Sequence, residues 1–250
     1  MRAVILAAGV GQRLGPRELA EPKVLLRFGG RSLLERHIRL LGLAGVREVA
    51  IGVGFEADRI AEELRRLALP APRVETVFNP RFTRGSVVTL WTLRAVLTRG
   101  GPVMVMDGDV LYDRRMLARL VGSRHANCFL LDRGLEPGEE PMKLAMKDGA
   151  PVDFRKRLAR AHDYYGESVG FFRLSEETAG ALVTAAGRLI EAGRDGEYFE
   201  EALRDVLIAS PAGTFGVEDV SGLPWIEIDF PADVERAERA VLPLLLPEDR

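Results

Sequence analysis

The chain has 250 residues, 47% of them apolar, which is enough for the core of one large α/β domain or two small ones. A formal net charge of −2 gives no electrostatic case for nucleic acid, and the Arg65-Arg66 and Arg155-Lys156-Arg157 clusters read as solvated faces. With no signal peptide and no apolar run of about 18 residues, the expectation is a soluble, cytoplasmic protein without membrane insertion.

The first 26 residues, MRAVILAAGVGQRLGPRELAEPKVLL, organise the reading. Residues 3–6 are an apolar run suited to a buried parallel strand, and a loop of small residues with Gly9, Gly11 and Gly15 follows. Glycines leave no Cβ in the way and tolerate positive φ, so successive amides can converge on a phosphate, with Arg13 and Lys23 adding positive charge. The spacing is not that of a dinucleotide fingerprint, since Leu14 stands three after Gly11, and no P-loop pattern occurs.

Ser32 and Glu35 form a capping-box pattern, and Leu34, Ile38 and Leu41 share a helical face, which predicts a helix over residues 32–43. A strand over 46–53, a helix over 57–67 and a strand over 74–78 ending at Asn79-Pro80 complete a β-α-β-α-β run. That alternation predicts a mixed, mainly parallel Rossmann-like sheet with helices on both faces and ligands at the carboxyl ends of its strands. Arg84-Gly85-Ser86 opens a helix to about residue 97, with Ser86 suited to its N-cap.

Residues 102–106 form an apolar strand that ends in Asp107-Gly108-Asp109. Two carboxylates on one face of an extended chain suit a hard cation such as Mg²⁺, which takes one or two carboxylates plus phosphates and water; the alternative is a cap on the helix over 113–121. The single cysteine, Cys128, excludes an internal disulfide, and His37, His125 and His162 lack metal-ligand spacing.

Beyond residue 126 the pattern changes to a strand over 126–131, a loop over 135–141, and a hairpin of 143–147 and 151–154 around Asp148-Gly149. A strand over 169–174, a helix capped by Ser175 and a helix within 195–209 follow. The chain thus divides at about residue 125 into two halves within one domain, 1–125 and 126–250, the second being the substrate-side lobe. In the stretch from Leu223 to Asp233, alternation puts Trp225, Glu227 and Asp229 on one face, and Pro231 opens a last helix, to about residue 246, that closes the sheet.

Leu6-Ala7-Ala8-Gly9-x-Gly11-x-Arg13-Leu14, then Pro22-Lys23-x-Leu25, Gly30 and Leu33-Leu34, resemble the signature of nucleotidyltransferases that join an NTP to a phosphorylated sugar or alcohol. The resemblance implies a GT-A-like nucleotidyltransferase fold. It also implies nucleotide contacts from Leu6, Ala7, Ala8, Gly9, Gly11, Asn79, Gly85, Ser86 and Asp107, catalytic roles for Arg13 and Lys23, and Mg²⁺ held by Asp109 and Asp229. It further implies an acceptor site at Glu167, Tyr198, Glu200 and Trp225, where Tyr198 and Glu200 read equally as the start of a helix with acids in its first turn. Among such enzymes the segments at 166–167, 197–200 and 225 are most similar to cytidylyltransferases that join CTP to a small alcohol phosphate. A uridylyl- or thymidylyltransferase for a sugar 1-phosphate, a molybdopterin nucleotidyltransferase, and a nucleotide-binding regulatory protein are the alternatives, and a homodimer is left open. Because an attacking phosphate is already an anion at pH 7, the chemistry calls for positioning and charge neutralisation rather than a histidine base.

Overall fold

In the computed structural model, which describes residues 1–14, 21–134 and 141–250, the apolar run after Met1 is β1 (Arg2–Ala7). Gly15 and most of the 135–141 loop lie outside the described residues. A short hairpin, β2 (Arg27–Phe28) and β3 (Arg31–Ser32), leads into α1 (Leu33–Leu43). Only half of the capping box forms: Ser32 Oγ accepts from the Glu35 amide and donates to Glu63, while the Glu35 carboxylate pairs with Arg39. β4 (Glu48–Val53), α2 (Ala57–Leu67) and β5 (Arg73–Phe78) follow as expected. The next helix breaks at Leu93 into α3 (Ser86–Thr92) and α4 (Arg94–Leu97). β6 (Val103–Asp107) ends at the paired carboxylates, and β7 (Val110–Tyr112) and α5 (Arg114–Gly122) follow.

β1 lies between β6 and β4, with β5 beyond, all parallel; Leu6 stands opposite both Gly52 and Asp107, so the glycine loop and the carboxylates emerge at the same end of the sheet. β1, β4 and β6 are buried on both faces, which accounts for their apolar runs, whereas β5, at the edge of the sheet, is partly exposed and mixes polar with apolar residues. Val4, Val103 and Val105 face a core with α3 and α4, whereas Ala3, Ile5, Met104 and Met106 face one with α1, α2 and α5.

The second half extends the same sheet with β8 (Asn127–Asp132), β9 (Lys143–Lys147), β10 (Ala150–Arg155) and β11 (Tyr164–Leu174). β11 begins five residues before the predicted strand, because its first four residues pair with β9 while Phe171 to Leu174 pair antiparallel with β6. Between them Gly170, at φ 79°, shifts the register against β8. α6 (Glu176–Glu191), capped by Ser175, and α7 (Phe199–Ala209) cover the α3 face, and β12 (Phe215–Asp219), which the sequence reading missed, pairs parallel with β8.

β13 (Trp225–Glu227) pairs antiparallel with β7 in a separate two-stranded sheet. The long last helix is not formed: α8 (Pro231–Arg236) gives way to a π turn over Ala237–Val241 and a 3₁₀ turn over Leu242–Leu244, where Pro243 cannot continue the helical ladder. Ala237, Val241 and Leu245 pack on Phe28, Leu33, Leu111, Ile226 and Ile228 in a small third core, so this segment clamps β7 and β13 rather than closing the main sheet.

Phe129 sits at the centre of the acceptor-side core, with ring centroids 5.2 Å from Phe154, 5.3 Å from Phe172 and 5.6 Å from Phe215. Phe129→Ala is expected to lower unfolding free energy by about 3–5 kcal/mol, through lost burial and the cavity left among rings, as measured by urea titration.

Candidate active site

The loop after β1 and the 3₁₀ turn Lys23–Leu25 form one wall of a cavity of about 490 Å³, lined by Leu6, Ala7, Gly9, Gly11, Arg13, Lys23 and Asp109 among others. Among the described loop glycines, Gly11 alone has positive φ, 63°, and a Cβ there would come 3.3 Å from the Lys23 stem. Gly9 contributes open space instead. A second cavity of about 300 Å³ shares Leu6, Gly9, Arg13, Lys23 and Asp109 with the first and extends along Ala8, Gly85, Ser86, Asp107, Tyr198, Glu200 and Asp229.

Lys23 stands at the junction. Its ammonium donates to Asp109 Oδ2 at 2.9 Å and to Asp229 Oδ1 at 2.7 Å, and Arg13 lies 3.0 Å from the same Asp229 oxygen. Burial works against the Lys23 charge, but the two carboxylates and their hydrogen bonds together outweigh it and raise its pKa. Asp229 reaches Asp109 from 120 residues away because the Ile228 amide donates to the Asp109 carbonyl at 2.9 Å, continuing the pairing of β13 with β7. Asp233 then fixes the turn by accepting from the amides of Asp229 and Phe230.

Glu227, on the Asp229 face of β13, brings a third carboxylate, and one oxygen of each of Asp109, Glu227 and Asp229 lies within 4.8 Å of the others. An all-oxygen donor set of carboxylates beside a phosphate-sized cavity fits Mg²⁺. The alternation of Trp225, Glu227 and Asp229 is the sequence signal that reaches Glu227, which the resemblance does not include. Asp107 points elsewhere, against Gly170, where a Cβ would lie 2.2 Å from Asp107 Oδ2. Burial, followed by the charges of Glu200, Asp109 and Glu227, raises its pKa well above the usual carboxylate range.

The helix starts at the acceptor end interlock. Gly85 allows the approach, since a Cβ there would lie 2.0 Å from the Glu197 carbonyl oxygen, and its amide donates to the Asp195 carbonyl. Ser86 does not cap its own helix; its Oγ accepts from the Phe199 amide at 2.9 Å and so caps α7. Tyr198 and Glu200 line the cavity beside this junction, with Lys156 5.5 Å above the Tyr198 ring. Burial pushes Glu200 up to about 7, and its Oε2 is buried without a hydrogen-bond partner.

Three expected site residues lie outside both cavities. Asn79 is 1% exposed; its amide donates to Thr89 Oγ1 and its carbonyl oxygen accepts from the Arg81 amide, so it anchors the turn that carries Phe82 and Arg84 into the site. Glu167 lies on the opposite face of β11 from Ser168, which does line the cavity, and stands opposite Asp132 in the strand pairing. Trp225 donates to that same Asp132 at 2.7 Å, so Glu167 and Trp225 belong to one cluster behind the acceptor wall. Burial, then the Asp132 charge, pushes Glu167 up to about 7 against Arg236 and Lys143.

Sequence reasoning missed Phe82, Arg84, Ser168, Gly170 and Lys156, all of which line the second cavity. Lys156 had been read as part of a solvated basic run, but it is brought to the cavity beside Phe154 at the end of β10. His37, which lacked any motif, is 0% exposed beneath the site, with Nε2 3.1 Å from the Gly108 carbonyl oxygen and its ring stacked on Tyr112.

Residues 3–178 match the family model described as the MobA-like NTP transferase domain. The chain is 30% identical, over 95% of its length, to a CMP-5'-(3-aminopropyl)phosphonate synthase of Streptomyces rubellomurinus, covering 38% of that protein. It is 32% identical, over 96% of its length, to a bifunctional IPC transferase and DIPP synthase of Rubrobacter xylanophilus, covering 52% of it. The chain therefore spans about half or less of the length of these relatives. In structure it resembles the CTP:phosphocholine cytidylyltransferase of Streptococcus pneumoniae, with a TM-score of 0.72 at 21% identity over 95% of this chain and 97% of the other, a likeness of fold. Among the described residues no helix is long and apolar enough to cross a membrane.

Burial lowers the His37 pKa to about 4, with the Gly108 hydrogen bond opposing. Its usual value is about 6.5, so between these limits the unfolded chain takes up a proton that the folded chain refuses, and stability falls as the pH falls through that window. The wild-type protein is expected to be about 2 kcal/mol less stable at pH 5 than a His37→Gln variant's own pH dependence accounts for, referenced to pH 7, in urea titrations at both pH values.

Proposed function

The chain belongs to the MobA-like NTP transferase domain family, and from that premise we propose that it transfers CMP from CTP to a small phosphorylated alcohol, acting as one domain and releasing pyrophosphate. The observation that carries the reading is Lys23 held between Asp109 and Asp229 at the junction of two cavities, one walled by the glycine loop and one by the acceptor-side strands. Two phosphate-bearing substrates must meet there. The names of the two sequence relatives and of the structural neighbour, which include a CMP-phosphonate synthase and a phosphocholine cytidylyltransferase, favour cytidylyl transfer.

In the proposed reaction a phosphate oxygen of the acceptor forms a bond to the α-phosphorus while the bond from that phosphorus to the bridging β-phosphate oxygen breaks, and pyrophosphate leaves in line. The loop amides and Arg13 hold the β- and γ-phosphates, Lys23 neutralises charge at the α-phosphate, and Lys156 offers a cation to the acceptor phosphate. Asp109, Asp229 and Glu227 would hold Mg²⁺, whose chemistry when bound is to offset negative charge on the phosphate oxygens. At the far end, Asp107 and Glu200 form an acidic wall beside Tyr198, which suits an acceptor with hydroxyl or ammonium donors.

The test is pyrophosphate release with Mg²⁺ and CTP against 3-aminopropylphosphonate, phosphocholine and inositol 1-phosphate, and with UTP against glucose 1-phosphate. Turnover with CTP and one alcohol phosphate or phosphonate is expected. Turnover only with UTP and the sugar moves the chain to sugar activation, and nucleotide binding without any pyrophosphate release favours a regulatory protein. Lys23→Ala and Asp109→Ala are each expected to cost about 3 kcal/mol or more in transition-state stabilisation, read as kcat/KM with folding checked by circular dichroism. Lys156→Ala should raise the KM for the acceptor while leaving that for CTP within about twofold.

A further inference from the structure

We propose that His37 is a positioning residue for Asp109: its Nε2–H holds the Gly108 carbonyl, and with it the peptide group that presents the first carboxylate of the metal site. The inference rests on the reading above, in which Asp109 is a metal ligand. Three hydrogen bonds fix the backbone around that residue. The Gly108 amide donates to the Leu6 carbonyl at 3.1 Å, the Gly108 carbonyl lies 3.1 Å from His37 Nε2, and the Asp109 carbonyl accepts from the Ile228 amide at 2.9 Å. β1, α1 and the β13 segment therefore each grip one point of the turn, leaving Asp109 only its side-chain torsions to adjust.

Gly108 is suited to this packing. A Cβ there would lie 2.9 Å from the Leu6 carbonyl oxygen, so the turn sits directly against β1 and cannot shift toward it. On the other side the imidazole is held in turn. Its ring stacks on Tyr112 at 5.4 Å, meets Phe171 edge-on at 6.4 Å, and places Nδ1 3.4 Å from the Tyr112 hydroxyl. A carbonyl oxygen only accepts, so Nε2 carries the proton, and in the neutral ring Nδ1 is left to accept from Tyr112. Full burial favours that neutral form, with a pKa of about 4. A buried aromatic ring would fill the same space without a donor. The nitrogen aimed at the turn beside Asp109 is what a filling role leaves unexplained.

Partners that orient metal ligands from behind typically change metal affinity by 10–100-fold when removed. The experiment compares wild type, His37→Phe, which keeps a ring but no donor, and His37→Gln, which keeps a donor at a similar reach. Mn²⁺ binding in the presence of a non-hydrolysable CTP analogue is read by electron paramagnetic resonance, beside melting temperature and the KM for acceptor. Expected are at least roughly tenfold weaker Mn²⁺ binding in His37→Phe, recovery of most of that loss in His37→Gln, and an acceptor KM within about twofold of wild type in both. Unchanged Mn²⁺ affinity in folded His37→Phe overturns the assignment, as does equal impairment in His37→Gln. If His37→Phe does not fold, His37→Met, apolar and flexible, replaces it under the same criteria. Failure of the wild-type protein itself to bind Mn²⁺ with the analogue would instead reject Asp109 as a metal ligand, and the role of His37 with it.

Discussion

The hydrogen bond from the Ile228 amide to the Asp109 carbonyl decides where the chemistry is. Without it, Asp229 would be one more acid near the end of the chain. With it, two carboxylates far apart in the sequence, Asp109 and Asp229, close on Lys23, and a third, Glu227, follows by strand alternation. Concentrating acids in this way is costly unless a cation answers them. Lys23 and Arg13 supply part of that answer within the chain, and in the proposed reaction a metal ion would supply the rest. The third core, in which Val241 and Leu245 pack on Ile226, Ile228 and Leu111, thus serves the site at a distance, because it keeps β13 against β7.

What the sequence made legible was mostly local. An apolar strand, a loop of small residues and an ordered Arg13 and Lys23 lie within 23 residues, and the alternation through Asp229 marks a strand end at which acids cluster. Buried parallel strands also announce themselves by continuous apolar runs, so β1, β4 and β6 are legible, whereas the short β2, β3 and β7 leave no such signal. Ser86 lines the second cavity, yet its hydroxyl caps α7 rather than its own helix, which no spacing around residue 86 could reveal. Asn79 anchors the loop that carries Phe82 and Arg84, its side chain spent on Thr89 and the Arg81 amide.

The acceptor half was less legible for a physical reason. Its walls come from an antiparallel arrangement in which neighbouring residues of one strand face opposite cores, so a one-residue difference separates the cavity from the space behind it. Ser168 and Gly170 line the cavity, whereas Glu167, one residue before Ser168, joins Asp132 and Trp225 behind it. Lys156 shows the converse. A basic triplet has the composition of a solvated face, yet the end of β10 brings its middle residue to the site.

Gly170 ties these halves together. Its positive φ lies where β11 shifts register against β8, and the absent side chain leaves room for Asp107, whose carboxylate occupies the place a Cβ would take. The strand that carries the acceptor wall can therefore pair directly with β6, the strand that delivers Asp109. A larger residue at 170 would press on the Asp107 carboxylate or strain the pairing of β11 with β6. One glycine in β11 thus lets the second half of the chain close against the strand end that carries Asp107 and Asp109, where the proposed reaction would take place.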